Sequence, residues 1–504
     1  MSVLEAYLRD LRDIRSSGAG VPETSYYTPL ANLLNGVGKS LKPRVQCILQ
    51  LANRGAGQPD GGLFTNEQLR RVDNSKPLLG QSPNRGVIEV KPTSDDTWVT
   101  AQSNQVSRYW DKYHQVLVTN YRDFVLVGQD DHGKPVKLES YRLAASEAEF
   151  WSKAAHPRAF ANEHEAPFIE YLHRVMLHGA PIASPQDVAW FLASYARTAK
   201  ARVEAQELPA LASLRSALEE ALGLRFQGAK GNHFFRSTLV QTLFYGIFSA
   251  WVLWCKEHPP TPKDRFDWHT AAWTLRVPMI RALFEQIATP SRLGSLGLVE
   301  ALDWTAAVLN RVDRASFFAQ FDQGQAVQYF YEPFLAAFDP ELRKQLGVWF
   351  TPPEIVRYMV ERVDTVLREE LELPDGLADP NVYVLDPCAG TGSYLVEVLK
   401  RIAATLQENG GDALVAHDLK DAAMNRVFGF EILPAPFVVS HLQLGLLLQT
   451  FGAPLDGQGQ ERVGVYLTNA LTGWEPLDPE KEKAFQAMLT GFPELLDERA
   501  TPLE

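Results

Sequence analysis

The chain has 504 residues, with 49 Lys and Arg against 61 Asp and Glu for a net charge of -12. That length exceeds what one hydrophobic core serves, so two domains and a connector are expected. Three cysteines, Cys47, Cys255 and Cys388, at no paired spacing exclude a disulfide scaffold and a zinc ribbon and suit a reducing cytoplasm. Residues 1 to 120 hold 14 Lys and Arg against 11 Asp and Glu, so the acidity belongs to the remainder, and DNA is permitted near the N-terminal end.

In chain order, Met1 to Arg15 mixes Leu and Ile with charges at helical spacing and is no signal peptide. Asn35-Gly36-Val37-Gly38-Lys39-Ser40 ends like a phosphate loop, but Leu33 stands where the first glycine belongs and Leu30 to Leu34 read as helix. A phosphate loop needs a strand before it, so ATP binding and a translocating helicase module are not supported. The tracts Gly55 to Gly62 and Asp73 to Arg85 read as loops.

Pro59-Asp60 stands within the first tract, and Gly86-Val87-Ile88-Glu89-Val90-Lys91 follows the second. A period of two turns Ile88 and Val90 to one face of a strand and Glu89 and Lys91 to the other. Two carboxylates supply hard oxygen ligands for Mg²⁺, and the lysine ammonium can orient or activate a water. Gln105 and Tyr109, four apart, share a helical face, and the apolar runs Gln115 to Thr119 and Phe124 to Gly128 finish a small sheet. The plainer reading is a solvated Glu-x-Lys face and a Pro-Asp that opens a turn. The set resembles the PD-(D/E)xK nucleases. That resemblance implies a small α/β domain over 1–135, with Asp60 and Glu89 as metal ligands and Lys91 as the third catalytic member. It leaves Glu23 as an additional acid from the first helix, and Gln105 and Tyr109 match the Gln-xxx-Tyr of one nuclease branch.

From 136 to 325 the composition turns to Ala, Leu, Phe and Trp at helical spacing and reads as a helical connector. Thr238 to Cys255 is nearly apolar, but Gln241 and flanking charges favour a buried helix over a membrane span, and Phe234, Phe235 and Trp251 read as core. No membrane partner is expected.

Tyr383-Val384-Leu385-Asp386-Pro387-Cys388-Ala389-Gly390-Thr391-Gly392-Ser393 reads as a central parallel strand, a glycine turn and a helix start, with Cys388 a small buried residue. Upstream stands Phe350-Thr351-Pro352-Pro353, and downstream Val427-Phe428-Gly429-Phe430-Glu431. A dinucleotide fold would want a third glycine where Leu395 stands. The three segments, over roughly 320 to 475, resemble the S-adenosylmethionine half of N6-adenine DNA methyltransferases of single-chain restriction–modification enzymes. The resemblance implies a Rossmann-like α/β domain from 326 to 504. In it Phe350, Thr351 and Pro352 close over the methionine end, Asp386, Pro387, Gly390 and Gly392 cradle the cofactor, and Glu431 holds the ribose.

The family's catalytic tetrapeptide, Asn, Asp or Ser followed by Pro-Pro and an aromatic residue, is not found after Glu431. The expectation is an incomplete domain, a fragment or one part of a split enzyme, that binds S-adenosylmethionine and acts on double-stranded DNA only with the remainder of the methyltransferase and a target-recognition domain. Function then reads as restriction–modification or phage defence in the cytoplasm, with a Mg²⁺-dependent endonuclease. Rival readings are a non-catalytic DNA-defence scaffold with a cofactor-sensing pocket, and an RNA or small-molecule methyltransferase.

Overall fold

The protein is described by a computed structural model over residues 1–21, 23–51, 56–70, 82–129, 134–204, 212, 215–216, 219, 226, 228–260, 264–270, 297–321, 330–340, 351–410, 415–456 and 461–470. It is mixed α/β and divides into two compact units, Met1–Pro181 and Ile182–Glu504.

The first unit opens with α1 (Val3–Ser16), where the Ser2 hydroxyl accepts the Glu5 N–H at 3.1 Å and Leu4, Tyr7, Leu8 and Leu11 form the buried stripe. The helix α2 (Tyr27–Gly38) takes in Asn35 to Gly38, so the false phosphate loop is helical for most of its length. There follow β1 (Val45–Leu49), β2 (Gly61–Thr65), the short α3 (Asn66–Arg70) and β3 (Val87–Val90). Next come α4 (Thr97–Ala101), α5 (Asn104–Tyr113), β4 (Val116–Thr119), β5 (Asp123–Gln129) and β6 (Pro135–Arg142). These strands form one six-stranded sheet in sequence order. Strands β1 to β3 are an antiparallel meander, β4 returns parallel to β3, and β5 and β6 are antiparallel again. The parallel return needs a crossover, and side-chain caps define it: Asp96 accepts from Trp98 and Val99 N–H, and Ser103 from Val106 N–H. Gly86, at φ +87°, lets β3 start beside β4, because a Cβ there would stand 2.6 Å from the Gln115 carbonyl oxygen.

The expected alternation along β3 holds. Ile88 and Val90 enter a core with Leu4, Leu30 and residues of α6 (Glu147–Ala154) and α7 (Pro157–Leu177), while Val87 enters a second core with Val106, Tyr109 and Tyr113. The sheet is therefore covered by helices on both faces. Two details differ from the sequence reading. Gly61 and Gly62 are not loop but β2, buried and paired to β1 and β3, since glycines fit under Leu49, Leu51 and Pro83 where a Cβ would clash. The compact unit also runs on to Pro181, past the expected boundary at 135. The reason is packing: β6 pairs with β5, Phe168 of α7 meets Phe124 edge-to-face at 4.9 Å, and the buried Arg174 donates to buried Glu139 across α7 and β6 at 2.8 Å.

The second unit begins with α8 (Pro185–Glu204), α9 (Gly228–Glu257), α10 (Val299–Leu309), α11 (Arg314–Phe321) and α12 (Glu332–Phe338). Within α9, Gly231–Glu257 is long and apolar enough to cross a membrane, but 83% of its most apolar window is buried inside the protein. Trp251 packs on Phe317 at 5.1 Å and Phe248 stacks on Phe330 at 3.5 Å, so the Trp251 ring is core. Then come α13 (Pro353–Glu369), β7 (Val384–Asp386), α14 (Ser393–Glu408), α15 (Val415–Asn425), β8 (Val427–Glu431), α16 (Pro434–Thr450) and β9 (Val465–Leu467). The three strands are parallel in the order β7-β8-β9, with helices as crossovers. Contrary to the sequence reading, β7 is an edge among the described residues rather than a central strand, and Tyr383 and Leu385 are 68% and 46% exposed because no neighbour covers them there.

If α7 belongs to the first core, Phe168→Ala should destabilise that unit by about 3–5 kcal/mol, the usual loss for a fully buried phenylalanine. Denaturant unfolding of the full chain followed by signals from the first unit is the check; a loss under ~1 kcal/mol would detach α7 from it.

Candidate functional site

Acidic side chains collect at the carboxyl ends of parallel strands in both units. In the first unit, Glu89 on β3 is buried, 2% exposed. Its Oε1 accepts from Lys91 Nζ at 2.7 Å and from Gln105 Nε2 at 3.2 Å. Gln105 Nε2 also donates to the Tyr109 hydroxyl at 2.9 Å, so α5 presents both residues toward the strand, as their spacing predicts. Asp60 lies just before β2; its Oδ2 accepts the Val90 N–H and its Oδ1 the Tyr27 hydroxyl, each at 2.7 Å. Contrary to expectation, Glu23 is not on the first helix, because α1 ends at Ser16; it precedes the 3-10 turn Thr24–Tyr26 that leads into α2, and its Oε1 lies 3.4 Å from the same Tyr27 hydroxyl. All six residues read from the sequence, Glu23, Asp60, Glu89, Lys91, Gln105 and Tyr109, thus fall into one connected site.

Glu89 Oε2 is buried with no hydrogen-bond partner among the described residues. Burial pushes the Glu89 carboxyl up to about 7; Lys91 pulls it back, while Asp60 and Glu23 add to the rise. Burial opposes the charge on Lys91, but its bond to Glu89 and the charges of Glu89, Asp60 and Glu23 outweigh that and raise it. Among the described residues no group of three or more His, Cys, Asp or Glu is gathered closely enough to cage a metal. A Mg²⁺ ion does not require such a cage, since it keeps several waters and takes one or two carboxylates. An orphaned buried oxygen on Glu89 beside Asp60 fits that kind of open site.

In the second unit the turn after β7 curls at two glycines, Gly390 at φ +56° and Gly392 at φ +86°. Gly392 caps α14 and packs on α16, where a Cβ would meet Ser440 Cβ at 3.0 Å; at Gly390 a Cβ would meet nothing nearer than the Cys388 carbonyl oxygen at 4.0 Å. One glycine is therefore needed for packing, and the other leaves an open approach. Glu431, ending β8, accepts the Gly390 N–H on Oε2 and the Leu433 N–H on Oε1, each at 2.7 Å. Asp386 Oδ1 accepts the Cys388 N–H at 3.1 Å, and its Oδ2 is buried without a partner among the described residues. Burial raises both carboxyls, against the backbone donors that hold them charged.

The structure brings Asp386, Gly390, Gly392 and Glu431 together at the carboxyl ends of β7 and β8, with exposed Pro387 in the turn. Half-buried Thr351 and exposed Pro352 open α13, where the Pro352 carbonyl accepts the Ile355 N–H at 2.9 Å; among the described residues they share no hydrogen bond with the turn. Phe350 lies outside the described residues. Cys388 is exposed, not buried as read from the sequence, because it sits in the turn beyond the end of β7. Leu395 takes the place of a third glycine by packing over Gly429, where a Cβ would be 2.6 Å from Leu395 Cδ1; the small residue is on the strand instead of the helix.

Two contributors escape sequence reading. Gln443 of α16 donates to the Thr391 carbonyl at 2.6 Å and ties the turn from 52 residues away. Tyr27 holds Asp60 from 33 residues away. Neither separation leaves a local spacing signal.

Residues 323–446, about a quarter of the chain, match the N-6 DNA Methylase family. The second unit therefore carries an N-6 DNA methylase domain, and the match spans Asp386, Gly390, Gly392 and Glu431. No curated protein matches the chain. Among solved structures, the chain is similar to DrdV in complex with DNA, at 18% identity and a TM-score of 0.37, covering 97% of this chain and 42% of that one. It is similar to a nuclease-deletion mutant of the Type ISP restriction-modification enzyme LlaGI with a DNA substrate mimic, at 18% identity, 65% and 24% coverage and a TM-score of 0.37. It is also similar to the type IIG restriction endonuclease BpuSI, at 14% identity, 90% and 43% coverage and a TM-score of 0.24. The chain spans less than half the length of each, and TM-scores of this size establish no common fold.

The raised Glu89 carboxyl has a consequence for stability. A carboxyl at about 7 in the folded chain against 4.5 when unfolded binds its proton more tightly when folded. Its cost is absent below pH 4.5, grows as pH rises toward 7 and is full above it, of order 3 kcal/mol. In EDTA, wild type should lose stability relative to Glu89→Gln between pH 5 and 8, and a difference that stays flat would contradict the assignment.

Proposed function

We propose that the chain is part of a restriction–modification or phage-defence protein that pairs a Mg²⁺-dependent DNA endonuclease site with the S-adenosylmethionine site of an adenine-N6 DNA methyltransferase. The observation that carries the reading is the coincidence of the N-6 DNA Methylase match with the Asp386, Gly390 and Glu431 cluster. A cofactor bound there would supply an electrophilic methyl group. The chain's part is to bind and orient: the free Asp386 Oδ2 accepts a polar hydrogen, Gly390 leaves room for close approach, and Glu431, once its loop amide is shared, takes the ribose hydroxyls. In the complete enzyme the adenine would be flipped from the duplex and its amino nitrogen would take the methyl. The sequence holds no adenine-gripping tetrapeptide after Glu431, so binding without methyl transfer is expected of this chain alone. The side of β7 that pairs with no strand among the described residues, with exposed Tyr383 and Leu385, and the exposed Ile355, Tyr358, Met359 and Val363 on α13, support docking of the remaining methyltransferase half there.

In the first unit the reading assigns Glu89 and Asp60 as metal ligands, Lys91 to the attacking water, and Glu23, Gln105 and Tyr109 to the surrounding network. The meander followed by a parallel strand, with helices on both faces, supports a PD-(D/E)xK-like domain. One observation favours the rival, a non-catalytic DNA-defence scaffold with a decayed nuclease: both Asp60 oxygens already accept hydrogen bonds. Each carboxylate oxygen has a second lone pair, so the metal reading stands ahead of it. Three unpaired cysteines suit a cytoplasmic setting.

Calorimetry with S-adenosylhomocysteine tests the methyltransferase reading. The chain should bind it, and Asp386→Ala and Gly390→Val should each weaken binding by about tenfold or more, the loss of one good contact. Folded protein that binds nothing, or binding that both variants leave intact, would refute it.

A further inference from the structure

The acid site rests on a frame of tyrosines that the proposed reaction does not itself use. Tyr27 opens α2 and is buried, 8% exposed, and its hydroxyl donates to Asp60 Oδ1 at 2.7 Å with Glu23 Oε1 at 3.4 Å. Asp60 Oδ2 is meanwhile fixed by the Val90 N–H at 2.7 Å, the residue next to Glu89. The carboxylate is thus gripped at both oxygens, from α2 on one side and β3 on the other, and its plane and rotamer are set. Each oxygen keeps one lone pair, and the adjacent Glu89 Oε2 keeps both.

The grip is itself braced. Tyr121, in the turn between β4 and β5, donates to the Glu23 carbonyl at 2.5 Å, and Tyr7 of α1 donates to the Tyr121 carbonyl at 2.8 Å. Tyr121 adopts φ +73°, a conformation non-glycine residues rarely take, and both it and Tyr7 are buried. A backbone strain of this kind persists only where surroundings hold it, and here those surroundings are the hydroxyl contacts that seat the segment from Glu23 to Tyr27 against the acids.

We infer that Tyr27 is a positioning residue for the metal site, aiming Asp60 so that its free lone pairs and Glu89 Oε2 face one ion. This rests on the endonuclease reading. A hydroxyl donor is suited to the task because it orients an anion without adding a charge that would compete with the cation. The alternative is a core tyrosine whose hydroxyl merely finds an acceptor.

The test uses the full chain and Mn²⁺ as probe, followed by calorimetry and by the electron paramagnetic resonance of free Mn²⁺. Tyr27→Phe keeps the ring and removes the donor. It should weaken Mn²⁺ binding by about tenfold or more, as loss of a residue orienting a ligand does, while the thermal midpoint moves by only a few degrees. In an Asp60→Asn background the same change should weaken binding no further. Should Tyr27→Phe fold poorly, Tyr27→Met repeats the test with no donor. Unchanged Mn²⁺ affinity in a folded variant, or equal losses with and without the Asp60 carboxylate, would overturn the inference and leave the endonuclease reading intact. Wild-type protein that binds no Mn²⁺, with Glu89→Ala indistinguishable from it, would refute both.

Discussion

Burial of carboxylates at the carboxyl ends of parallel strands is the constraint on which the rest of the structure turns. Glu89 Oε2 and Asp386 Oδ2 are both buried without a partner among the described residues. Other buried polar atoms, Gln115 Oε1 and Ser249 Oγ among them, also lack a partner among the described residues, but Glu89 Oε2 and Asp386 Oδ2 are carboxylate oxygens, and an orphaned buried acceptor costs about 1–3 kcal/mol, more when charged. Each is held at its position by neighbours that do find partners: Lys91 and Gln105 on the other oxygen of Glu89, and the Cys388 amide on the other oxygen of Asp386. The two units reach this arrangement with different sheets. In one, β3 and β4 are the parallel pair among six described strands whose other pairs are antiparallel; in the other, all three described strands are parallel. In both, the crossover helix starts where the acids end, which is where ligands enter open α/β sheets.

The backbone around the acids is shaped to the same end. In the second unit the Glu431 carboxylate fastens the Gly390 amide, so the residue expected to hold a ribose also sets the shape of the turn beneath it. In the first unit Asp60 is pinned between α2 and β3. A residue pinned in this way gives up orientational freedom during folding, before any ligand arrives, which lowers the entropy lost on binding.

Much of this was legible in the sequence, where the signal is local. Glu89 and Lys91 two apart on a strand, Gln105 and Tyr109 four apart on a helix, and the glycine turn after Asp386 each follow from a period or a backbone requirement that neighbouring residues reveal. What the sequence concealed is carried by distant pairs. Gly61 and Gly62 look like a loop until β1 and β3 are seen on either side of them. The boundary near 135 fails to anticipate α7 because Phe168 and Arg174 find their partners, Phe124 and Glu139, across the sheet. Cys388 reads as a small buried residue, yet the turn carries it outward. Leu395, standing where a third glycine would be, makes a dinucleotide loop the weaker reading, but only the structure shows Gly429 making the room that the missing helix glycine would have made.

What ties these observations together is that the two orphaned carboxylate oxygens, Glu89 Oε2 and Asp386 Oδ2, are proposed as ligand acceptors. The measurement that bears on it most directly is a crystal structure of the full chain soaked with Mn²⁺ and S-adenosylhomocysteine, with anomalous data collected at the manganese edge. An anomalous peak is expected about 2.0–2.6 Å from Glu89 Oε2 and an Asp60 oxygen, the range of hard-cation contacts to carboxylates, with the nucleoside lying over Gly390 and Asp386 Oδ2 bonded to it. A peak elsewhere or none, together with a nucleoside that leaves Asp386 Oδ2 unpaired, would contradict it.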